Sequence, residues 1–386
     1  MTVCKVWKLK VNINKSIIMV NISSEQNLKN KFQFNLSQNQ LESVNSFNYL
    51  GVVFQLNGKF KATTTKLGHK AQKALFKIYK MLWDSNTCYS VSLACKLFDS
   101  LVKPILLYSS DVWGSSLINM FKGSGNSKSH ITDHQFLSKL FDNTKFPFEQ
   151  LHIKFCKRTL GVHRKASNVA CRGELGQYPL TIDMCNMVMK YYHRLVLKKT
   201  NNVILESAFQ SNTRLKNDTW LAFIQKLLQV TNCTASDLQN KNFGDLFKEK
   251  IKLIYRNVWL GEINKQANNK LSTYKHFKTN FCKEKYLECI SNRKHKIALT
   301  KFRISAHRLP IEAGRYRGLD KDVRFCHLCD NQQRGDERHV FKCEHKSVKT
   351  HRNRFMSTLF LYAPNLHNLS NDELFLTIFS SFDNYL

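Results

Sequence analysis

The chain has 386 residues, of which 60 are Lys or Arg and 28 are Asp or Glu, so its formal net charge is +32. A hydrophobic content of 42% excludes a wholly disordered chain, and this length leaves room for two or three domains. The excess of cations favours a polyanionic partner, because each neutralised phosphate releases a condensed counterion. The chain is also rich in Asn, Lys and Ile, so biased base composition of the gene is an alternative source of part of this charge.

The beginning of the chain carries short β-like segments. Residues 6–11 and 16–20 are two of them, and residues 32–36 alternate apolar and polar side chains as a half-buried strand does. Asn57 and Gly58 stand between β-prone residues, and this pair is a strong hairpin signal because both turn positions need positive φ. We therefore predict a small antiparallel sheet with one hairpin here.

From Thr63 onwards the apolar pattern is that of helices. Apolar residues recur at helical spacing at residues 67–82, 91–102, 148–160, 182–198 and, in mostly polar surroundings, 203–300. Pro104 is expected to bend or end the second of these helices. Residues 119–145 contain a Gly- and Ser-rich stretch and predict a linker or surface loop. The fold class is thus predicted as α+β, mostly α.

A Cys- and His-containing motif lies near the end of the chain. Cys326 and Cys329 are separated by two residues, so a tight turn can present both thiolates to one ion. His339 and Cys343 are four residues apart and share one face of a short helix, for which Asp336 is the expected N-cap. These ligands predict a closed tetrahedral Zn²⁺ site, which is structural and takes no part in chemistry.

Two alternatives to this site stay open. His327 and His345 lie close enough in sequence to serve as the fourth ligand. The cysteines can also pack as small buried hydrophobes without any metal.

The remaining cysteines are scattered through apolar patterns. No apolar leader and no run of about 18 apolar residues is present, so we expect an intracellular protein, nuclear or cytoplasmic, without a membrane partner.

Basic residues crowd the segment around the motif, and Phe302, Tyr316 and Phe325 lie among them. We expect these cations to contact phosphates and the rings to offer stacking faces for bases. The candidate nucleic-acid contacts are Arg303, His307, Arg308, Arg315, Arg317, Arg324, Arg334 and Arg338. The alternative is a solvated basic face whose aromatic residues pack around the metal.

Several segments, taken in this order, resemble the region downstream of the polymerase palm in non-LTR (LINE-type) retrotransposon reverse transcriptases. They are residues 7–16, the FNYLG motif at 47–51, residues 103–108 with 111–114, residues 174–176 with 179–180, and residues 307–343. Their order is more specific than any one of them, and they span nearly the whole chain.

The resemblance implies an order of parts along the chain. These are a partial palm with a primer-grip-like hairpin at 1–62, thumb-like helices at 63–118, a linker at 119–145, a helical connector at 146–300, a basic zinc-knuckle-like module at 301–354 and C-terminal helices at 355–386. Lys15 stands where the family carries a lysine thought to assist pyrophosphate departure, and Ser16 replaces the more usual threonine after it. Tyr49, Leu50 and Gly51 stand at the primer grip. The alternatives are one solvated lysine among many for Lys15 and simple sheet packing for Tyr49 and Leu50.

Family members catalyse nucleotidyl transfer with carboxylates that hold two magnesium ions. The resemblance places these carboxylates upstream of residues 7–16, in a turn that ends in an aspartate pair, and this sequence contains no Asp-Asp pair. We therefore expect no Mg²⁺ site and no catalysis by this chain alone.

The preferred interpretation is a remnant that binds RNA, DNA or both, with a palm or a full-length reverse transcriptase in trans as a further candidate partner. The alternatives are a piece of an active RNA-directed DNA polymerase working in target-primed reverse transcription, and a decayed pseudogene product with no activity.

Overall fold

The computed structural model describes residues 6–8, 11–19, 34–36, 39–84, 90–114, 132–141, 146–197, 203–214, 220–265, 270–329 and 332–380. Most of these residues are helical, and the few short strands lie near the start of the chain. The predicted class, α+β and mostly α, is confirmed. No helix within these ranges combines the length and the apolar character needed to cross a bilayer.

The strands of the described residues form two-stranded sheets. They are β1 (Ile17–Ile18), β2 (Asn35–Leu36), β3 (Asn39–Gln40), β4 (Glu42–Ser43), β5 (Ser46–Tyr49) and β6 (Val52–Gln55). Strands β2 and β3 pair antiparallel, as do β5 and β6, whereas β1 and β4 pair parallel. The β5–β6 pair is the predicted hairpin, but its turn is not the predicted one.

The hairpin turns at Leu50 and Gly51, which both have positive φ, of 47° and 87°. The Tyr108 hydroxyl donates to the Leu50 carbonyl oxygen at 2.9 Å and holds this turn. Asn57 and Gly58 instead form the turn that leads from β6 into the first long helix. The prediction of a hairpin at Asn57 and Gly58 is therefore wrong, because the chain after Gly58 pairs with no strand and becomes helical within three residues.

The remaining elements are α-helices and short 3-10 helices. In the first part of the chain they are α1 (Lys61–Asp84), α2 (Val91–Leu97), α3 (Lys103–Leu106), α4 (Ser110–Trp113), α5 (Asp133–Phe141), α6 (Pro147–Thr159), α7 (Asn168–Leu175) and α8 (Leu180–Leu197). In the second part they are α9 (Val203–Arg214), α10 (Trp220–Val230), α11 (Ala235–Gln239), α12 (Phe243–Asn264), α13 (Tyr286–Cys289), α14 (Arg293–Arg303), α15 (Pro310–Tyr316), α16 (Lys346–Tyr362) and α17 (Asn371–Ser380). The 3-10 helices are Ile13–Lys15, Tyr274–His276, Lys321–Val323, His339–Phe341 and Pro364–Asn368.

The helical segment continues past Pro104, so this residue does not end it, and a π-helical turn precedes it. Helix α2 passes into a π-helical turn at Phe98–Val102, and α3 follows directly with Pro104 in its first turn. Proline has no N–H to donate to the carbonyl one turn earlier, and its ring crowds that carbonyl. The wider π turn accommodates both effects.

Part of the predicted linker is core. Helix α5 lies inside residues 119–145, and Phe136, Leu140 and Phe141 on it are buried. The linker prediction is wrong for these residues. Three apolar side chains on one short helix are buried in the core, although the sequence around them is polar. Residues 122–128, which suggested the linker, lie outside the described residues.

Helix α8 is the centre of the core. It packs against α4, α6, α10 and α12, and Met184, Cys185, Val188 and Met189 along it are fully buried. One continuous hydrophobic cluster runs from Leu67 on α1 through these helices to Phe379 on α17. The predicted thumb-like, connector and C-terminal parts therefore share a core, and the boundaries between them stay predictions.

A buried ionic network joins the middle of the chain to its end. Arg303 on α14 donates to both carboxylate oxygens of Glu174 on α7, at 3.0 and 3.1 Å, and lies 2.8 Å from Glu284. Tyr286 donates its hydroxyl to Glu174 at 2.5 Å, and Arg303 also donates to the carbonyl oxygen of Phe379. Since each buried charge is paired, this network fixes α14 and α17 against α7.

Candidate metal centre and basic surfaces

The predicted metal ligands come together. The Sγ atoms of Cys326, Cys329 and Cys343 and a ring nitrogen of His339 all lie within 4.8 Å of one another. Ligand atoms around one tetrahedral zinc ion lie roughly 3.3–3.8 Å apart, given metal–ligand bonds of about 2.0–2.3 Å. The observed spacing is compatible with such an ion. We call these four residues the metal cluster.

A short β-bridge positions the first two ligands. Phe325 and Arg334 form an antiparallel bridge, and the N–H of Cys326 donates to the carbonyl oxygen of Gln333 at 2.8 Å. The bridge closes the chain between these residues into a loop. Cys326 and Cys329 therefore sit on the same tight turn, as the sequence predicted.

A 3-10 helix positions the other two ligands. The N-cap of this helix is Arg338, and not Asp336 as predicted, although the Asp336 carboxylate accepts a hydrogen bond from the N–H of His339 at 2.9 Å and so stabilises the start of the turn. The N–H of Cys343 donates to the carbonyl oxygen of His339 at 2.8 Å. The turn is shorter than the predicted helix, since only residues His339–Phe341 are helical, but it still places both ligands on one side.

Gln333 orients the imidazole of His339. The Nδ1 of His339 lies 3.1 Å from the Gln333 Oε1, and its Nε2 lies 3.2 Å from the Cys329 sulfur. An amide oxygen only accepts, so Nδ1 carries the proton and the Nε2 lone pair faces the thiolates. Sequence analysis did not identify Gln333, because no sequence spacing marks an amide that contacts a ligand and does not itself bind the metal.

The alternative histidines are not part of the metal cluster. His345 makes a hydrogen bond through Nδ1 with the Ser347 hydroxyl at 2.7 Å, and the His327 side chain is exposed. Neither belongs to the group of ligand atoms that lie within reach of one ion. His339 is therefore the fourth member of the cluster.

Cys326 of the metal cluster differs from the thiols of the core, whereas burial raises the pKa of Cys343, which also belongs to the cluster. Burial raises the pKa of Cys326, but hydrogen bonds from the N–H groups of Leu328 and Cys329 and from neighbouring thiols outweigh it, so the pKa lies below its ordinary value. Burial raises the pKa of Cys95 and Cys171 in the core to about 12. Thiolates bind metals and neutral thiols do not, so the core cysteines act only as packing residues.

Glu337 attaches the module to the helical body. Its side chain is 3% exposed and accepts hydrogen bonds from Ser305 at 2.7 Å and from Thr273 at 3.0 Å. His307 lies 2.7 Å from the same carboxylate through Nε2, and the N–H of Leu309 donates to its Nδ1, so Nε2 carries a proton and donates. Sequence analysis did not identify Glu337, because a buried carboxylate cannot be recognised before its partners are known.

Most of the predicted basic contacts are paired within the fold. The partners are Glu337 for His307, Glu312 for Arg315, the carbonyl oxygens of Ile311 and Leu319 for Arg324, Asp322 for Arg334 and Asp372 for Arg338. Arg303 is 2% exposed and belongs to the buried network with Glu174, so its guanidinium does not reach the surface as predicted. Arg308 and Arg317 are exposed and have no ionic partner among the described residues.

Another basic surface lies on α1. This helix contains six lysines and one histidine, and its only acidic residue is its last, Asp84. An open groove of about 810 Å³ runs along the helix beside the β5–β6 hairpin. Its cations are Lys59, Lys61, Lys66, His69, Lys70 and Lys73, which we call the α1 surface. No acidic side chain of the described residues forms an ion pair with these lysines.

The hairpin beside the α1 surface presents aromatic and apolar side chains to solvent. Tyr49 is 57% exposed and Leu50 73% exposed, and the rings of Phe47 and Tyr49 lie 6.4 Å apart. Thr63 on α1 exchanges two hydrogen bonds with the backbone of Val53, at 2.8 and 2.9 Å, and docks the hairpin on the helix. The hairpin that carries these exposed rings is therefore fixed beside the row of cations on α1.

Lys15 faces the same hairpin from the other side. It lines a groove of about 460 Å³ together with Phe47, Tyr49 and Phe54. The structure therefore brings Lys15 and Tyr49, two of the predicted site residues, to one groove. Gly51 lies in the turn, where a Cβ would lie 3.1 Å from a ring carbon of Tyr108.

Comparison with protein-family models, with curated proteins and with solved structures gave no match for this chain.

Proposed function

We propose that this protein binds nucleic acid, with the α1 surface as its main contact and a structural zinc module at the end of the chain. The observation that carries the proposal is the row of lysines on α1, which form no ion pair within the described residues and lie beside the hairpin that carries exposed rings. Lysines neutralise phosphates, and exposed rings stack on unpaired bases. The alternative is a helix face whose lysines only contact solvent, and such a face would not need exposed aromatic side chains beside it.

Zinc is the metal that the cluster fits best. Three thiolates and one imidazole Nε2 at tetrahedral spacing form a donor set typical of structural zinc. All four positions are filled by protein, so the ion supplies folding free energy and leaves no site for a substrate.

The parts of the chain that resemble non-LTR reverse transcriptases support the same function. The resembling segment at 47–51 is the exposed hairpin, and residues 174–176 include the buried Glu174 that organises the core. In that family the first of these segments corresponds to the primer grip, and the second lies in the thumb or beyond it. We propose that this chain holds an RNA or DNA strand in the same way.

Fluorescence anisotropy with labelled oligonucleotides over a salt series tests the proposal. Each phosphate contact on a single strand contributes about 0.7 to the slope of log affinity against log salt, so Lys66→Gln/Lys70→Gln/Lys73→Gln should lower that slope by about 2. The matched control is Lys190→Gln/Lys265→Gln/Lys349→Gln, which removes the same charge from exposed lysines that already pair with Asp245, Glu262 and Glu344. Equal effects of both variants, or a negligible slope for the unmodified protein, would contradict the proposal.

A second candidate function is a part of an RNA-directed DNA polymerase. The observation that favours it is the groove shared by Lys15 and Tyr49, which resembles the meeting of the family's lysine with its primer grip. Primer extension on an RNA template with magnesium and deoxynucleotides separates the two functions. Incorporation above background by the isolated chain, lost in Lys15→Ala, would favour the polymerase.

A further inference from the structure

A second cationic groove lies on the opposite flank of α6 from the core. It has a volume of about 610 Å³ and is formed by α6, the turn after it, and the first residues of α7 and α14. Its cations are Lys154, Lys157, Arg158, Arg164 and Arg293, which we call the α6 groove. Neither an acidic nor an aromatic side chain lines it among the described residues.

The α6 groove is built from fixed parts. Lys157 donates to the carbonyl oxygen of Arg164 at 2.7 Å, and the guanidinium of Arg158 lies 4.1 Å above the ring of Tyr79 on α1. Gly161 has φ +67°, and a Cβ there would lie 2.5 Å from the side chain of Ile297 on α14. The end of α6 and the start of α14 are therefore in close contact, and the cations are held in place by the fold.

Further lysines lie near the turn that follows α6. Burial lowers the pKa of His163, and Lys270, Lys157, Lys301 and Lys165 lower it further. Burial and Lys270 also lower the pKa of Lys157, although Cys171 and Cys156 oppose this. So many cations near one turn create a strong attraction for a polyanion.

The lining indicates what kind of polyanion fits. Sites for single strands combine cations with aromatic rings on which bases stack, and the α6 groove has no such ring among the described residues. Sites for small ligands are mostly apolar, whereas the lining of this groove is largely cationic. Lys154, Lys157 and Arg158 follow one face of α6, and Arg164 and Arg293 extend the row. A row of cations without stacking faces matches the phosphate backbone of a duplex, whose bases are already stacked.

We infer that the α6 groove binds the phosphate backbone of a nucleic-acid duplex, while the α1 surface and its hairpin bind an unpaired strand. This inference rests on the proposed function and divides it between two surfaces. Arg158 and Tyr79 connect α6 to α1, so one bound molecule with a duplex part and a single-stranded part can contact both surfaces.

Two triple variants test this division. Lys154→Gln/Arg164→Gln/Arg293→Gln changes exposed side chains of the α6 groove, and the variant of Lys190, Lys265 and Lys349 described above is its control for net charge. Each duplex phosphate contact contributes about 0.9 to the salt slope, so the groove variant should lower the slope for a blunt duplex by about 3 and its affinity by roughly tenfold or more. Its affinity for a single strand of the same length should stay within twofold of the unmodified protein.

The probes are a DNA duplex, an RNA duplex, an RNA–DNA hybrid and the matching single strands. A preference among the three duplexes identifies which backbone the groove takes. Equal losses for duplex and single strand, no loss for any duplex, or tight binding of a nucleoside triphosphate that depends on Arg164 would each overturn the inference. Those results leave the proposed function standing if the α1 variant still loses affinity, whereas failure of the unmodified protein to bind any probe removes both.

Discussion

His152 on α6 is a polar residue without a polar environment. It is fully buried, its ring stacks on Phe98 at 5.2 Å, and neither ring nitrogen has a hydrogen-bond partner among the described residues. Glu149 is 3.7 Å away, too far for a hydrogen bond, and its carboxylate is already bound by Arg172 at 2.5 Å. Burial therefore lowers the pKa of His152, although Glu149 opposes the shift.

We expect His152→Phe to stabilise the protein, by on the order of 1 kcal/mol, because the variant removes a buried group with no partner. A histidine whose folded pKa is lowered takes up its proton only in the unfolded chain, so stability falls as pH drops through about 6.5. The variant should therefore lose less stability than the unmodified protein between pH 7 and 5.5, as measured by urea unfolding. That window lies above the range in which Glu149, whose pKa is also lowered, takes up its proton.

His193 provides the matched control for this prediction. It is also buried and its ring lies 5.0 Å from that of Phe243, but its Nε2 lies 2.9 Å from the carbonyl oxygen of Leu238. His193→Phe removes this hydrogen bond and should destabilise the protein. If both variants change stability in the same direction, the unpaired nitrogens of His152 are not the cause.

Arg303 shows how strongly one buried residue can hold the fold together. Arg303→Met leaves Glu174 and Glu284 without their guanidinium partner in the core. Breaking a buried ion pair from one side costs about 3–5 kcal/mol, so we expect a large fall in the free energy of unfolding. Arg308→Met, on the exposed surface five residues later, should change it by less than about 0.5 kcal/mol. Similar unfolding midpoints for the two variants would contradict the buried network.

At the scale of elements, Gly161 decides how closely α6 and α14 approach. Gly161 and Gly318 have similar positive φ, of 67° and 72°, but a Cβ at Gly318 would meet nothing within 4 Å. Gly318→Ala should cost about 1–2 kcal/mol from backbone strain alone. Gly161→Ala adds the overlap with Ile297, so we expect a further loss of about 1–3 kcal/mol in urea unfolding. Equal losses would show that α14 can move away from the turn.

At the scale of the whole molecule, the metal cluster and the helical body should respond differently to metal removal. Cys343→Ser removes a ligand, and a chelator removes the ion. Phe341 belongs to the main hydrophobic cluster and Val340 packs against it, so the segment around Cys326 and Cys329 depends most on the ion. We expect the module to become sensitive to protease while α1 to α8 stay protected, because those helices share a large hydrophobic cluster. Cys289→Ser changes an exposed cysteine outside the cluster and is the control. Matching proteolysis patterns with and without chelator would contradict a bound metal.

The sequence predicted those parts of the structure that depend on local pattern. Helices α6 and α8 were predicted within a few residues, because apolar side chains at helical spacing determine which face is buried. The metal cluster was predicted ligand by ligand, because a tight turn and a short helix each fix two ligands through local backbone geometry. The hairpin turn was misplaced, because the contact that favours Leu50 comes from Tyr108, 58 residues away in the chain.

By itself, therefore, the sequence determined that the protein is basic and mostly helical and that it contains one Cys and His motif, because net charge and residue spacing depend on the sequence alone. Only the tertiary structure decided which cations lie at the surface, where a ligand can contact them. Pairing with a distant carboxylate removed Arg303 from the predicted surface, whereas packing of α6 against α14 assembled Lys154, Arg164 and Arg293 into one groove. The physical reason is that a cation's role depends on the charges and carbonyl groups that the folded chain places beside it, and these come from residues far away in sequence.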